Sequence, residues 1–186
     1  MPERMALRGS SRQTLTSDIC QGGNAFVIPS SLPELGRRGE GWFLIQVVLL
    51  AAVAVAGGLG PAWSGTERSV GVALGIVLIG LGGLLAVRGV LDLRQNLTPF
   101  PKPVDDARLV QTGAYRLVRH PIYGGLILGA FGWGLVSASI PALVSAVALA
   151  LFLRLKSGRE ETWLADRFEA YGSYRAKTRR FVPWLY

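Results

Sequence analysis

The sequence predicts an all-α protein of the membrane: a polytopic bundle of about four transmembrane helices, with a short helical hairpin in its second half and a cytoplasmic C-terminal extension. Three observations predict it. Half of the 186 residues are apolar and only 17% are charged, below the quarter usual in soluble domains. The mean hydropathy is positive, +0.36. The apolar residues also gather in uncharged runs of membrane-crossing length, which excludes a disordered chain. The formal charge of +8 fits the basic cytoplasmic loops of a membrane protein, so no nucleic-acid partner is expected. With one Cys (Cys20) and one His (His120), the chain cannot close an internal disulfide or build a Cys/His zinc site, and no structural metal is expected.

Residues 1–40 mix Gly, Ser and Pro with scattered arginines. No apolar core follows those arginines, so no cleaved signal peptide is expected, and the segment reads as a flexible tail whose stretch Phe26 to Ile28 could rest on the interface. Residues 41–186 form one membrane-embedded domain. From Trp42 to Gly60 run 19 uncharged residues, and from Ser69 to Val87 another 19; at ~1.5 Å per residue each covers a ~30 Å hydrocarbon layer. These place spans at about 42–60 and 69–88. Gly71, Gly75, Gly80, Gly82 and Gly83 in the second suit close helix packing. Residues 88–121 form a basic connection punctuated by Pro99, Pro101 and Pro103. The next run, Ile122 to Leu153, is 32 uncharged residues, too long for one helix of ~20 residues. Charge settles the parity: 61–68 carries one basic residue, 88–121 six and 154–186 eight, so the last two segments belong on the cytoplasmic side and the number of passes is even. A break at Ser137-Ala138-Ser139, with Pro141 in the first turn of the following helix, divides the run into spans of about 121–136 and 140–156. Both termini are then cytoplasmic. The last helix should leave the membrane as an amphipathic extension with Leu164, Phe168 and Tyr171 on one face.

Three segments could carry chemistry. Pro121 suits a first helical position and holds His120 extended, which gathers Arg119 and His120 at a helix N-terminus. That is an anion site, or else a snorkelling arginine and an interfacial histidine touching lipid head groups. Glu160-Glu161 lies on the continuation of the last helix. Adjacent residues point about 100° apart, so the pair is not a dyad. It is either a solvated turn with Lys156 as an i, i+4 partner of Glu160, or a membrane-boundary carboxylate for a cationic or amino-bearing ligand. The tail from Tyr171 to Trp184 interleaves aromatic and basic residues, as an interfacial anchor does, or as a lid would if Arg179 or Arg180 met an anionic group of a substrate.

In this order the segments resemble a known superfamily. Gly113-x-Tyr115-x-x-x-Arg119-His120-Pro121-x-Tyr123-x-Gly125, then a hairpin, then Glu160-Glu161-x-x-Leu164, and finally Tyr171-x-x-Tyr174-x-x-x-Thr178-x-Arg180-Phe181-x-Pro183 is similar to the integral-membrane isoprenylcysteine carboxyl methyltransferases and phospholipid methyltransferases. The resemblance spans roughly residue 70 to the C-terminus. It implies an S-adenosylmethionine site at the cytoplasmic end of the bundle and a lipophilic, membrane-delivered acceptor bearing a carboxylate, amine or thiol. It implies cofactor contacts by Tyr115, Arg119, His120, Pro121, Tyr123, Glu160 and Glu161, with Glu160, Glu161 and Arg180 as the catalytic candidates and Arg119 and Arg180 meeting anionic groups. The N-terminal segment is unmatched by that pattern. Two rival functions are an NADPH-dependent membrane reductase of related fold, which shares the Arg-His-Pro-x-Tyr-x-Gly piece, and a non-catalytic scaffold whose basic termini bind anionic lipid.

Overall fold

The computed structural model describes residues 35–36, 39–59, 63–98 and 108–183. The expected loose tail with Phe26 to Ile28, the prolines of the basic connection and Trp184 lie outside the described residues. Within them the chain is helical: α1 Glu40–Ala56, α2 Gly65–Leu93, α3 Pro121–Val136, α4 Ile140–Arg167 and α5 Tyr171–Lys177, with 3-10 turns at Arg94–Asn96 and Gly113–Arg116. No strand forms among the described residues; one isolated parallel bridge joins Val118 to Arg179.

The hairpin break falls at Ser137 to Ser139. Ser139 caps α4 by accepting the Ala142 N–H at 3.3 Å, and its hydroxyl donates to the Ala56 carbonyl at 2.7 Å. One side chain therefore ends α1 and starts α4. Pro121 and Pro141 both sit in first turns, where a missing N–H leaves no helical bond unmade.

Other boundaries differ from expectation, because the end of an uncharged run is not the end of a helix. α1 stops at Ala56, capped by Gly57, short of residue 60. α2 starts at Gly65 and runs past Arg88 to Leu93; a charged side chain leaves the lipid without breaking the backbone bonds. α4 likewise continues through its polar stretch to Arg167, where Phe168 turns to extended backbone (φ −122°, ψ 109°). Tyr171 therefore belongs to a separate helix rather than to a continuation of α4. Two helices, α2 with 29 residues and α4 with 28, are long and apolar enough to cross a membrane; α1 with 17 and α3 with 16 are shorter apolar helices.

α2 and α3 run antiparallel along a seam of glycines. Gly75 faces Gly132, and Gly82 faces Gly125. A Cβ on Gly82 would lie 2.7 Å from the Gly125 carbonyl oxygen and 3.0 Å from the Gly129 nitrogen, so the backbones touch. Gly80 and Gly83 face open space. α4 packs against both α1 and α3 around Val53, Ala130, Ala146, Leu149 and Leu153. Leu74, Ile76, Val77, Leu81, Leu84 and Leu91 of α2 face outward, the apolar surface that lipid requires.

Candidate functional site

The site is built where the segment before α3 meets the segment after α4. His120 is the N-cap of α3 and is held extended ahead of Pro121. The strap Thr178 to Phe181, which follows α5, lies alongside it. The Arg119 N–H donates to the Arg179 carbonyl at 2.8 Å, the His120 N–H to that of Arg180 at 2.9 Å, and the Arg179 N–H to that of Leu117 at 3.3 Å. Gly124 makes this possible: a Cβ there would collide with the Phe181 carbonyl. The Tyr174 hydroxyl donates to the Tyr115 carbonyl at 2.7 Å. Arg119 binds the strap through Nη1, which donates to the carbonyls of Arg175 and Thr178. The tail does fold back over the other two segments, through backbone pairing together with the side chains of Arg119, Tyr174 and Arg180.

The two glutamates have different surroundings, as their ~100° offset requires. Glu161 is 4% exposed and is ringed by cations: Arg119 Nε at 2.9 Å, Arg180 Nη2 at 2.8 Å, His120 Nε2 at 3.2 Å and the exposed Arg175 at 3.8 Å. The solvated-turn reading is therefore wrong for Glu161. Glu160 accepts the Tyr123 hydroxyl and lies 3.4 Å from His120 Nδ1. The His120 ring thus bridges both carboxylates and stacks on Tyr123, with centroids 5.6 Å apart and planes 6° from parallel. Burial alone would lower the imidazole's pKa, but its bonds to Glu160 and Glu161 outweigh that and hold it above 6.5, which favours the doubly protonated ring that can donate to both. Burial also raises the phenols: Tyr115 moves well above its usual value with Glu160 adding to the effect, and Tyr174 is pushed up to about 12.

A cavity of about 370 Å³ adjoins this cluster, within the range of small-molecule sites. Tyr115, Arg119, His120, Tyr123 and Glu160 line it. Pro121, Glu161 and Arg180 are buried without lining it; the guanidinium of Arg180 is directed at Glu161. Gln46, Asn96, Arg108 and Lys156, which the sequence does not assign to a site, and Tyr171 and Tyr174 of the closing motif, to which it gives no site role, all line the cavity. Gln46 had a legible signal, since it is the one polar side chain between Trp42 and Ala56. The Tyr171 hydroxyl is buried with no hydrogen-bond partner among the described residues. Nor do those residues include a group of three or more His, Cys, Asp or Glu side chains able to hold a metal ion.

The start of α3, Glu160 of α4 and Tyr171 and Tyr174 of the returning tail thus meet at one cavity. The family model described as phospholipid methyltransferase matches residues 70–171, more than half of the chain, and the protein belongs to that family. Over 78 residues it is 36% identical to the cobalt-zinc-cadmium resistance protein CzcN of Cupriavidus metallidurans, covering 41% of this chain and 36% of that protein. Over 166 residues it is 27% identical to the nickel-cobalt-cadmium resistance protein NccN of Alcaligenes xylosoxydans xylosoxydans, covering 87% of this chain and 72% of that protein. The chain thus spans about a third of the first relative's length and nearly three quarters of the second's.

Proposed function

We propose that the protein transfers a methyl group from S-adenosylmethionine to a lipophilic acceptor that reaches the cavity from the bilayer. The observation carrying this reading is the cavity itself: a carboxylate, Glu160, and a buried hydroxyl, Tyr171, with no hydrogen-bond partner among the described residues, sit among aromatic rings at the end of an apolar bundle. The donor set fits the cofactor. Glu160 suits its amino group, the rings of Tyr115 and Tyr123 suit a sulfonium through cation–π attraction, and the Tyr171 hydroxyl offers a further polar contact. When bound, S-adenosylmethionine supplies an electrophilic methyl carbon. The protein's own residues exclude water and orient: Leu164 and Phe168 close one wall, and Tyr171 and Tyr174 bring the strap side of the site against it, so alignment in a dry pocket does most of the work. A carboxylate acceptor needs no proton transfer. An amine or thiol must lose a proton, and there Glu160, the cavity-lining carboxylate among the described residues, would serve as the base instead of holding the amino group.

In this reading α1 to α4 all cross the bilayer, with the strap and the segment before α3 on the cytoplasmic side. That orientation is supported by the basic residues of 88–121 and 154–186. α1 and α3, at ~1.5 Å per residue, fall a few ångströms short of the hydrocarbon layer, which local thinning accommodates.

Calorimetric titration of the purified protein with S-adenosylmethionine and with NADPH tests the reading. The first should bind and the second should not, and Glu160→Gln should weaken binding by about tenfold or more, the worth of one charge-assisted hydrogen bond. Binding of NADPH alone, or of neither, overturns it. Incubating a membrane lipid extract with radiolabelled donor then identifies the acceptor.

A further inference from the structure

Midway along the apolar face of α1 stands a polar side chain, Gln46. Gln46 accepts a hydrogen bond from Lys156 Nζ at 2.6 Å, and both side chains line the cavity. Lys156 is 1% exposed and stands one helical turn from Glu160, toward the apolar part of α4. Its ammonium lies 5.2 Å from the centroid of the Tyr123 ring. Burying an ammonium costs several kcal/mol, and α1 and α4 already join through Val53, Leu149 and Leu153, so the pair is not needed to hold those helices together. An ionisable side chain at such a depth marks a substrate path. The charges give its sign. Among the described side chains lining the cavity, Arg108, Arg119, Lys156 and the doubly protonated His120 carry positive charge and Glu160 carries negative charge; Arg119 and His120 also face Glu161 behind the wall. Among these described side chains positive charge exceeds negative, and a sulfonium donor adds to it, so an acceptor with a negative head is favoured over one with a positive head.

Resting on the methyltransferase reading of this cavity, we propose that Lys156, oriented by Gln46, is a specificity-determining residue. It holds an anionic group of the acceptor, a carboxylate or a phosphate ester on a lipid chain, at the membrane side of the site.

The test needs no methyl donor. Radiolabelled myristate and tetradecyl phosphate are bound to the protein in nanodiscs of neutral lipid and competed with tetradecanol and tetradecylamine. At least one of the two anions should bind in preference to the neutral and cationic chains. K156M should weaken that anion by about tenfold or more and leave tetradecanol unchanged, whereas K156R should keep the preference. The anion that loses affinity identifies the head group. Q46E, which sets a carboxylate against the ammonium, should also remove the preference. Equal losses for myristate, tetradecyl phosphate and tetradecanol in K156M would make Lys156 merely structural, and an unchanged preference in K156M, or in Q46E should K156M fail to fold, overturns the proposal. Anion selectivity that depends on Lys156 in a protein that binds no S-adenosylmethionine would leave the subsite standing and remove the donor. Donor binding without such selectivity would do the reverse.

Discussion

α3 is held by two joints of opposite chemistry. Along its length it meets α2 through Gly125 and Gly132, backbone against backbone, with no charge involved. At its N-terminus it is tied through Arg119 and His120 to Glu160, Glu161 and the strap, by charges and hydrogen bonds that are almost wholly buried. Lipid offers no hydrophobic force between helices, so the first joint depends on close approach. The second depends on every charge having its partner. The seam should fail by size and the ionic joint by charge, and each should be insensitive to what breaks the other.

The largest effect is expected from Glu161→Gln. It leaves Arg119 and Arg180 buried without their carboxylate, a loss of about 3–5 kcal/mol, read as a lower unfolding midpoint and as faster proteolysis beyond Ala170. A strap that stays protease-resistant in this variant would show that backbone pairing alone holds it. Gly82→Val attacks the other joint and should cost about 1–3 kcal/mol by overpacking, while keeping the wild-type pH dependence of stability. Tyr174→Phe, which removes the bond to the Tyr115 carbonyl, should cost about 1 kcal/mol and loosen the strap in hydrogen exchange without touching the seam. The pH dependence itself should come from His120. Its folded pKa is held above 6.5, so its contribution is fully present below about 6.5 and is lost as pH rises through the raised folded value. Melting temperature should fall across that interval in the wild type and stay flat there in His120→Gln. The smallest effect belongs to Gly80→Ala, which points into open space and should shift stability by no more than about 0.5 kcal/mol.

What could be read from the residues follows the same division. The break at Ser137 to Ser139 and the glycine packing are local or periodic properties, and residue types report them directly. Helix ends were less legible, since Arg88 and the polar stretch after Leu155 signal where lipid stops while the backbone hydrogen bonds continue. The site was legible as a set of residues but not as an arrangement. Arg119 and Arg180 looked like anion receptors; their guanidiniums are directed at Glu161, a pairing that depends on the strap lying beside residues some 60 positions earlier. The different surroundings of Glu160 and Glu161 could be expected from helix geometry, but which one faces the cavity depends on how α4 is rotated against α3. Lys156 read as an intrahelical partner because its neighbour across the bundle, Gln46, is 110 residues away.

The strap that completes the ionic cluster follows every long helix in the order of synthesis. A nascent chain can form α1 to α4 and zip the glycine seam while Glu161, Arg119 and His120 still lack the groups of Thr178 to Arg180 that complete their surroundings. Assembly of the helical scaffold and completion of the buried ionic cluster are therefore separate events in time, and the second waits for the ribosome.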